Sequence, residues 1–269
     1  MVKTVLITGS SAGIGKLTAD FFASRGWNVA AGARNPECLA TFANNGSRIV
    51  VQLDVKDDRS LRAAVATTLE KFGAIDVLVN NAGYGLFGPI EGSTNGEFEA
   101  QFRTNVFGTV AMIRHVLPHM RERKTGVIVN VSSIGGRISA PFAGAYHASK
   151  FAIEGLSESL RYELSLYGIR VKLVEPGHYK TGFIRRSLHM LRHDAYNAQF
   201  DNYMGWVHKE DEKAPDAAPV AATIFKAATD KSDRLRYPVG AGMILFLTKI
   251  CPDSIWRSLM AEGMTRKPR

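Results

Sequence analysis

An apolar, β-branched run from Val2 to Thr8 stops at Gly9, and Gly13 to Arg25 then takes up helical spacing through Ile14, Leu17, Phe21 and Phe22. A strand, a glycine turn and a helix in that order constrain the fold more than any other feature. A strand that feeds a helix over so short a connection returns the chain alongside itself, so that the next strand lies parallel to the first. The same grammar recurs down the chain. Asn28 to Ala33 reads as a second strand, and Arg48 to Val55 as a third whose near-continuous Ile49, Val50, Val51 and Leu53 suit burial on both faces. Asp57 or Asp58 caps the next helix, whose apolar face uses Leu61, Ala64, Val65, Leu69 and Phe72 before Gly73 ends it. Ile75 to Val79 is the fourth strand.

After a glycine-rich loop, Phe98 to Arg123 reads as one or two consecutive helices, with Pro118 expected to kink or interrupt the second. Val127 to Val131 is the fifth strand, Tyr146 to Tyr167 a long helix ended by Gly168, and Arg170 to Val174 the sixth strand. From residue 183 to 215 the periodicity loosens and mixes Tyr196, Phe200, Tyr203 and Trp206 with charges, which marks a substrate-covering segment. Ala217 to Thr229 resumes as a helix and Arg236 to Val239 supplies a last strand. The expectation is a single α/β domain over residues 1–269, a doubly wound, Rossmann-type parallel sheet covered by helices on both faces. Ligands of such sheets sit beyond the carboxyl ends of the strands.

Composition narrows the function classes. At 269 residues the chain can bury a substantial core. Its two cysteines, Cys38 and Cys251, lack metal-ligand or redox spacing, which fits a reducing, cytoplasmic setting and no metal. A formal charge of +9 suits anionic ligands. The basic residues are nonetheless dispersed, with small groups at Arg121, Arg123 and Lys124, at Arg185 and Arg186, and at Arg266, Lys267 and Arg269. Without aromatic interleaving or a binding motif these read as solvated surface, and no nucleic-acid partner is expected. No apolar stretch reaches the roughly 18 residues of a transmembrane helix. Val239 to Leu247 is too short to span and reads as a buried or subunit-facing surface, with peripheral membrane contact as the alternative.

Thr8-Gly9-Ser10-Ser11-Ala12-Gly13-Ile14-Gly15 lies where a dinucleotide pyrophosphate can approach bare backbone and a helix N-terminus. Its spacing departs from G-x-G-x-x-G, and an ordinary turn is the alternative. We assign Gly9, Ser11, Gly13, Ile14 and Gly15 to that contact. The end of the second strand reads Ala31-Gly32-Ala33-Arg34-Asn35, with no carboxylate to hold a ribose 2′-hydroxyl. The Arg34 guanidinium suits a 2′-phosphate, so NADP(H) is expected over NAD, the alternative being a solvated strand-end charge. Asp54 and Val55 can flank adenine, and Asn81, Ala82 and Gly83 can approach ribose. A structural turn is the alternative for each of these two groups.

Tyr146 and Lys150 stand four residues apart on one helix face. A phenol with a pKa of about 10 is a poor base at neutral pH, and a nearby ammonium stabilises its ionised form. Ser133, near the end of the fifth strand, can hydrogen-bond a substrate oxygen and hold it against Tyr146. An ordinary helix-surface pair is the alternative for Tyr146 and Lys150. His147 points off their face and reads as structural.

Together, TGSSAGIG at Thr8 to Gly15, NNAG at Asn80 to Gly83, Asn105, Ser133, YHASK at Tyr146 to Lys150 and Pro176-Gly177 resemble the short-chain dehydrogenase/reductase family over roughly residues 1–240. The resemblance implies a tetrad of Asn105, Ser133, Tyr146 and Lys150, with Asn105 holding a water that links Lys150 to solvent. It implies that Pro176, Gly177 and Thr181 contact the nicotinamide end, and that Tyr146 and Lys150 reach the cofactor. It also implies a homodimer or homotetramer built through the helices at Asn105 to Arg123 and Tyr146 to Tyr167. NNAGYGLFGPIE, VEPGHYKTGF and RYPVGA look like the hydroxysteroid and retinol dehydrogenase branch. The expected activity is NADP(H)-dependent interconversion of an alcohol and a ketone or aldehyde, on an apolar small-molecule substrate. The competing readings are a 3-oxoacyl thioester reductase and a non-catalytic NADP-sensing protein.

Overall fold

The computed structural model of the chain describes residues 2–39, 42, 45–252, 254–256 and 258. In chain order the elements are β1 (Thr4–Ile7), α1 (Gly13–Ser24), β2 (Asn28–Ala33), β3 (Arg48–Gln52), α2 (Asp58–Phe72), β4 (Val77–Asn80) and β5 (Gly85–Phe87). There follow α3 (Asn95–Phe102), α4 (Gly108–Glu122), β6 (Gly126–Val131), α5 (Gly144–Ser165), β7 (Ile169–Pro176) and α6 (Phe183–Arg186). The last are β8 (Leu188–Met190), α7 (Asn197–Lys213), α8 (Ala218–Thr229), β9 (Arg236–Val239) and α9 (Gly242–Ile250).

The main sheet runs β3-β2-β1-β4-β6-β7-β9, and every pairing in it is parallel. Because neighbouring residues of a strand face opposite sides, each strand feeds two cores. Val5, Ile7, Val77, Val79, Val127 and Val129 pack with Phe22 of α1 and Ile224 of α8 on one face. Leu6, Leu78 and Ile128 pack with Leu61 of α2, Met112 of α4 and Ile153 of α5 on the other. The run of β-branched residues thus follows from burial on both sides, as expected of a doubly wound sheet.

The order reverses between β1 and β4, the two strands that carry the glycine turn and the Asn81-Ala82-Gly83 loop. Their ends are stitched together by Thr8, whose hydroxyl accepts hydrogen bonds from the Asn81 and Ala82 N–H groups, each at 3.0 Å. Asn81 returns the contact, its Nδ2 donating to the Thr8 and Gly9 carbonyls at 3.0 and 3.1 Å.

Three segments differ from expectation. The break between α3 and α4 falls at a π-helical turn, Arg103–Phe107, whereas α4 continues through Pro118. Pro118 is exposed, so the carbonyl it leaves without an intrahelical donor lies on the solvated side. The loosened segment contains real elements: β8 pairs with β5 in a two-stranded parallel sheet, and α7 follows it. The apolar stretch after Val239 is α9, which leaves Met243, Phe246 and Leu247 exposed; this overturns the buried reading of those side chains and leaves the subunit-facing one untouched. Among the described residues no helix is long and apolar enough to cross a membrane. The tail residues Arg266, Lys267 and Arg269 lie outside the described residues.

Candidate active site

The carboxyl ends of β1, β2, β3, β4, β6 and β7 open onto one cavity of about 1460 Å³, roofed by α6, α7 and the start of α9. Sixteen of the eighteen residues singled out from the sequence line it: Gly9, Ser11, Gly13, Ile14, Arg34, Asp54, Val55, Asn81, Ala82, Gly83, Ser133, Tyr146, Lys150, Pro176, Gly177 and Thr181. Gly15 and Asn105 stand behind the wall.

The glycine turn packs so closely on its own backbone and on the loop after β4 that it leaves no room for side chains, which keeps the cradle above it bare. A methyl at Gly15 would lie 2.2 Å from the Gly9 carbonyl oxygen, and one at Gly9 would lie 2.9 Å from the Ala82 Cα. Gly9 and Gly13 adopt φ of +70° and +54°, where a Cβ is strained. Above them α1 begins without a side-chain cap and without an acidic residue in its first turn, so its first N–H groups and its dipole are free for an anion. A pyrophosphate fits that donor set. At the end of β2, Arg34 is exposed on the cavity rim and makes no ion pair among the described residues. Lys56, which the sequence did not single out, lines the same cavity. Asp54 turns one carboxylate oxygen to the Lys56 N–H at 3.0 Å.

At the opposite end α5 presents Tyr146 and Lys150. Lys150 is buried with its Nζ donating to the Val131 carbonyl at 2.9 Å, and it lies 5.9 Å from the centre of the Tyr146 ring. Burial pulls its pKa down to about 8, against the opposing attraction of Glu154. Burial also pushes the Tyr146 phenol up, with the Ser133 hydroxyl acting the other way. Ser133 accepts a hydrogen bond from Gly135 N at 3.0 Å, leaving its O–H to donate. His147 is structural: its Nε2 accepts from Ala140 N at 3.1 Å, so Nδ1 carries the proton and donates to the Gly135 carbonyl at 2.7 Å. It pins the Ser133 loop to α5.

Asn105 lies in the π-helical turn, with its Oδ1 accepting from Tyr84 N at 3.1 Å. Its Nδ2 donates to the Tyr84 carbonyl and to the Ser149 hydroxyl, each at 3.0 Å. These bonds tie the loop after β4 to the helix that carries Tyr146. On the far side, Thr181 is fixed by Arg186, whose Nη2 donates to its carbonyl at 2.6 Å.

An apolar chamber adjoins the Tyr146 hydroxyl. The Phe87 and Phe183 rings each lie 5.8 Å from Tyr146, and Tyr203, Trp206 and Val207 of α7 with Leu247 of α9 complete it. From the sequence, Tyr203 and Trp206 could either line an apolar pocket or pack the lid, and the structure places both in the lining; Phe87, Phe183, Val207 and Leu247 were not singled out. Phe200, Tyr203, Met204 and Val207 are buried at positions one helical turn apart, a spacing that could have shown α7. Among the described residues no three His, Cys, Asp or Glu side chains gather at metal-binding range.

A family model described as short chain dehydrogenase matches residues 3–191. A 3-ketodihydrosphingosine reductase of Bacteroides thetaiotaomicron is 38% identical over 241 residues, covering 88% of each chain. The mouse 17-beta-hydroxysteroid dehydrogenase type 1 is 36% identical over 250 residues, covering 87% of this chain and 72% of its own. Among solved structures, a short-chain dehydrogenase from Streptomyces avermitilis superposes with a TM-score of 0.84 at 34% identity, over 100% of this chain and 98% of that one. ElxO with NADP bound gives 0.73 at 28% identity over 91% and 100%. A short-chain dehydrogenase/reductase from Burkholderia phymatum in complex with NAD gives 0.78 at 25% over 100% and 96%.

The buried amine generates a pH prediction. A lysine whose folded pKa lies near 8 binds fewer protons folded than unfolded between about pH 8 and 10.4, so it costs stability below that window and the cost fades as pH rises through it. Lys150→Met is therefore expected to raise the unfolding free energy at pH 7 by on the order of 1 kcal/mol, with the difference shrinking towards pH 10. Urea denaturation of the ligand-free protein across that range measures it.

Proposed function

The chain belongs to the short-chain dehydrogenase family, and from that premise we propose that it interconverts an alcohol and a ketone or aldehyde, with NADP(H) as cofactor and Tyr146 as general acid/base. One observation carries the reading: the glycine cradle at α1 and the Ser133, Tyr146 and Lys150 group line one continuous cavity.

The dinucleotide, when bound, supplies or accepts the hydride. Gly9, Ser11, Gly13 and Ile14 offer backbone to its pyrophosphate, with Gly15 keeping the turn close-packed. Asp54 and Val55 flank adenine, Asn81, Ala82 and Gly83 the ribose, and Pro176, Gly177 and Thr181 the nicotinamide end. In reduction the Tyr146 hydroxyl gives its proton to the carbonyl oxygen, and in oxidation it takes the proton back. Ser133 donates a hydrogen bond to the same oxygen and holds it in place as charge develops. The Lys150 ammonium lowers the proton affinity of the phenol, countering the burial that raises it. Asn105 supports this arrangement through Tyr84 and Ser149.

Arg34 favours NADP(H): it stands at the end of β2 without a carboxylate beside it, and Lys56 adds a second cation on the same cavity. The chamber of Phe87, Phe183, Tyr203 and Trp206 favours an apolar carbonyl substrate. Relatives named for a hydroxysteroid and for 3-ketodihydrosphingosine put sterol-like and long-chain ketones first on a substrate panel. A second copy of the chain pairs along α4 and α5. The exposed Phe151 and Tyr162 on α5, Leu166 just after it and Phe107 just before α4 support that face.

With a carbonyl found on such a panel, Tyr146→Phe is expected to lower kcat by about 10²–10⁴-fold while NADPH binding, followed by fluorescence, stays within a few-fold. Turnover that survives the substitution refutes the acid/base role. Arg34→Ala is expected to raise the KM for NADPH at least about tenfold and leave that for NADH unchanged, since one charge-assisted contact is worth roughly 1.5–3 kcal/mol. Steady-state kinetics with both dinucleotides measure it.

A further inference from the structure

Directly behind the reacting face lies a second group of charges that the proposed chemistry does not use. Glu154 follows Lys150 by one turn of α5, so the two share a helix face. Glu175, the residue before Pro176 on β7, approaches the same place. Their side chains are 6% and 1% exposed. Gly136 leaves room for Glu154: a methyl there would stand 3.0 Å from the Glu154 Cγ and 2.7 Å from the Ser132 hydroxyl oxygen.

Two guanidinium groups hold the carboxylates. Arg236 of β9 bonds Glu154 at 3.2 Å and Glu175 at 3.4 Å through one nitrogen, and reaches the more exposed Glu158 at 3.0 Å through another. Arg137, from the turn after β6, bonds Glu175 at 3.0 Å. One oxygen of each acid, Oε1 of Glu154 and Oε2 of Glu175, and the Ser132 hydroxyl have no hydrogen-bond partner among the described residues. The charged groups around Glu154 are Lys150 and Glu158, each one turn away on its own helix, Glu175 from β7, Arg236 from β9 and Arg137 from the turn; Lys150 stands beyond ion-pair contact and acts on Glu154 through space.

A buried carboxylate held by only one bond of its own needs a further cation or a proton. Lys150 is the cation not otherwise compensated, since its single hydrogen bond goes to a neutral carbonyl. We propose that Glu154 is the counter-charge of Lys150, a positioning residue that keeps the amine protonated from behind while Tyr146 works in front of it. This rests on reading Tyr146 and Lys150 as the acid/base pair.

The proton inventory agrees. Burial and the neighbouring Glu175 push Glu154 up, with Arg236 opposing, while burial pulls Lys150 down to about 8 with Glu154 raising it. Once ionised, Glu154 favours the ammonium form of Lys150. A neutral Glu154 gives no such support, so the range in which Lys150 stays charged depends on the acid behind it.

The test measures Lys150 directly, by NMR titration of the full chain with isotopically labelled lysine side chains, its resonance assigned by loss in Lys150→Arg. Glu154→Gln is expected to lower the Lys150 midpoint by about one pH unit, the shift typical of one nearby opposite charge. The alkaline limb of kcat/KM is expected to move the same way. Glu154→Asp, which keeps the charge, restores the midpoint, and Glu158→Gln leaves it in place. A Glu154→Gln protein that is less stable or slower with an unmoved Lys150 midpoint overturns the proposal. If Glu154→Gln fails to fold, Glu154→Leu, which removes the carboxylate without burying an unpaired amide, decides it: a lowered Lys150 midpoint supports the proposal and an unmoved one overturns it. Because the titration needs no turnover, it stands even where every carbonyl fails as substrate, a result that would count against the oxidoreductase reading alone.

Discussion

An ammonium group inside the protein beside a phenol is the arrangement on which the rest of the site depends. Lys150 gives up most of its hydration and receives in return one carbonyl, that of Val131 at 2.9 Å, and the field of Glu154. Without a fold to hold it, the amine would turn to water, because desolvation disfavours its charge. What holds it is the long helix α5, buried along the face that carries Ser149, Lys150, Ile153 and Ser157, and the strand end whose carbonyl it meets. The rigidity of the Tyr146 and Lys150 end is therefore a property of core packing rather than of the loops around it.

The opposite end of the cavity depends on absence of side chains. β1 and β4 are adjacent in the sheet while their helices leave on opposite faces, which opens a crevice where the order reverses. Thr8 and Asn81 close its floor with four short hydrogen bonds, and the glycine turn keeps the backbone bare above it. Asn105 and His147 join the two ends, one tying the β4 loop to α5 and the other tying the Ser133 loop to the same helix. A single helix thus relates the cradle to the Tyr146 hydroxyl.

Most of this was legible in the sequence because the signals are local. The parallel sheet follows from apolar runs alternating with helical periods, and the cradle from glycines lying between a strand and a helix. Tyr146 and Lys150 share a face because four residues make about one turn. What escaped depends on distant partners. β5 and β8 are three residues each, too short to display a period, and exist because they pair across about a hundred residues of chain. The break before α4 lies at a π-helical turn with no proline or glycine inside it to announce it, while exposed Pro118 is carried within the helix. The Glu154, Glu175 and Arg236 cluster gathers three elements, and nothing in the spacing of those residues announces that they meet.

The central claim is that one cavity brings a dinucleotide bound at the glycine cradle to the Tyr146 hydroxyl. A crystal structure of the full chain with NADPH tests it most directly. The account predicts the pyrophosphate over the N-terminus of α1, the 2′-phosphate at Arg34, and the nicotinamide ring beside Tyr146, with Lys150 within hydrogen-bonding reach of its ribose. A dinucleotide bound elsewhere, or a nicotinamide ring remote from the Tyr146 hydroxyl with no open path between them, would contradict it.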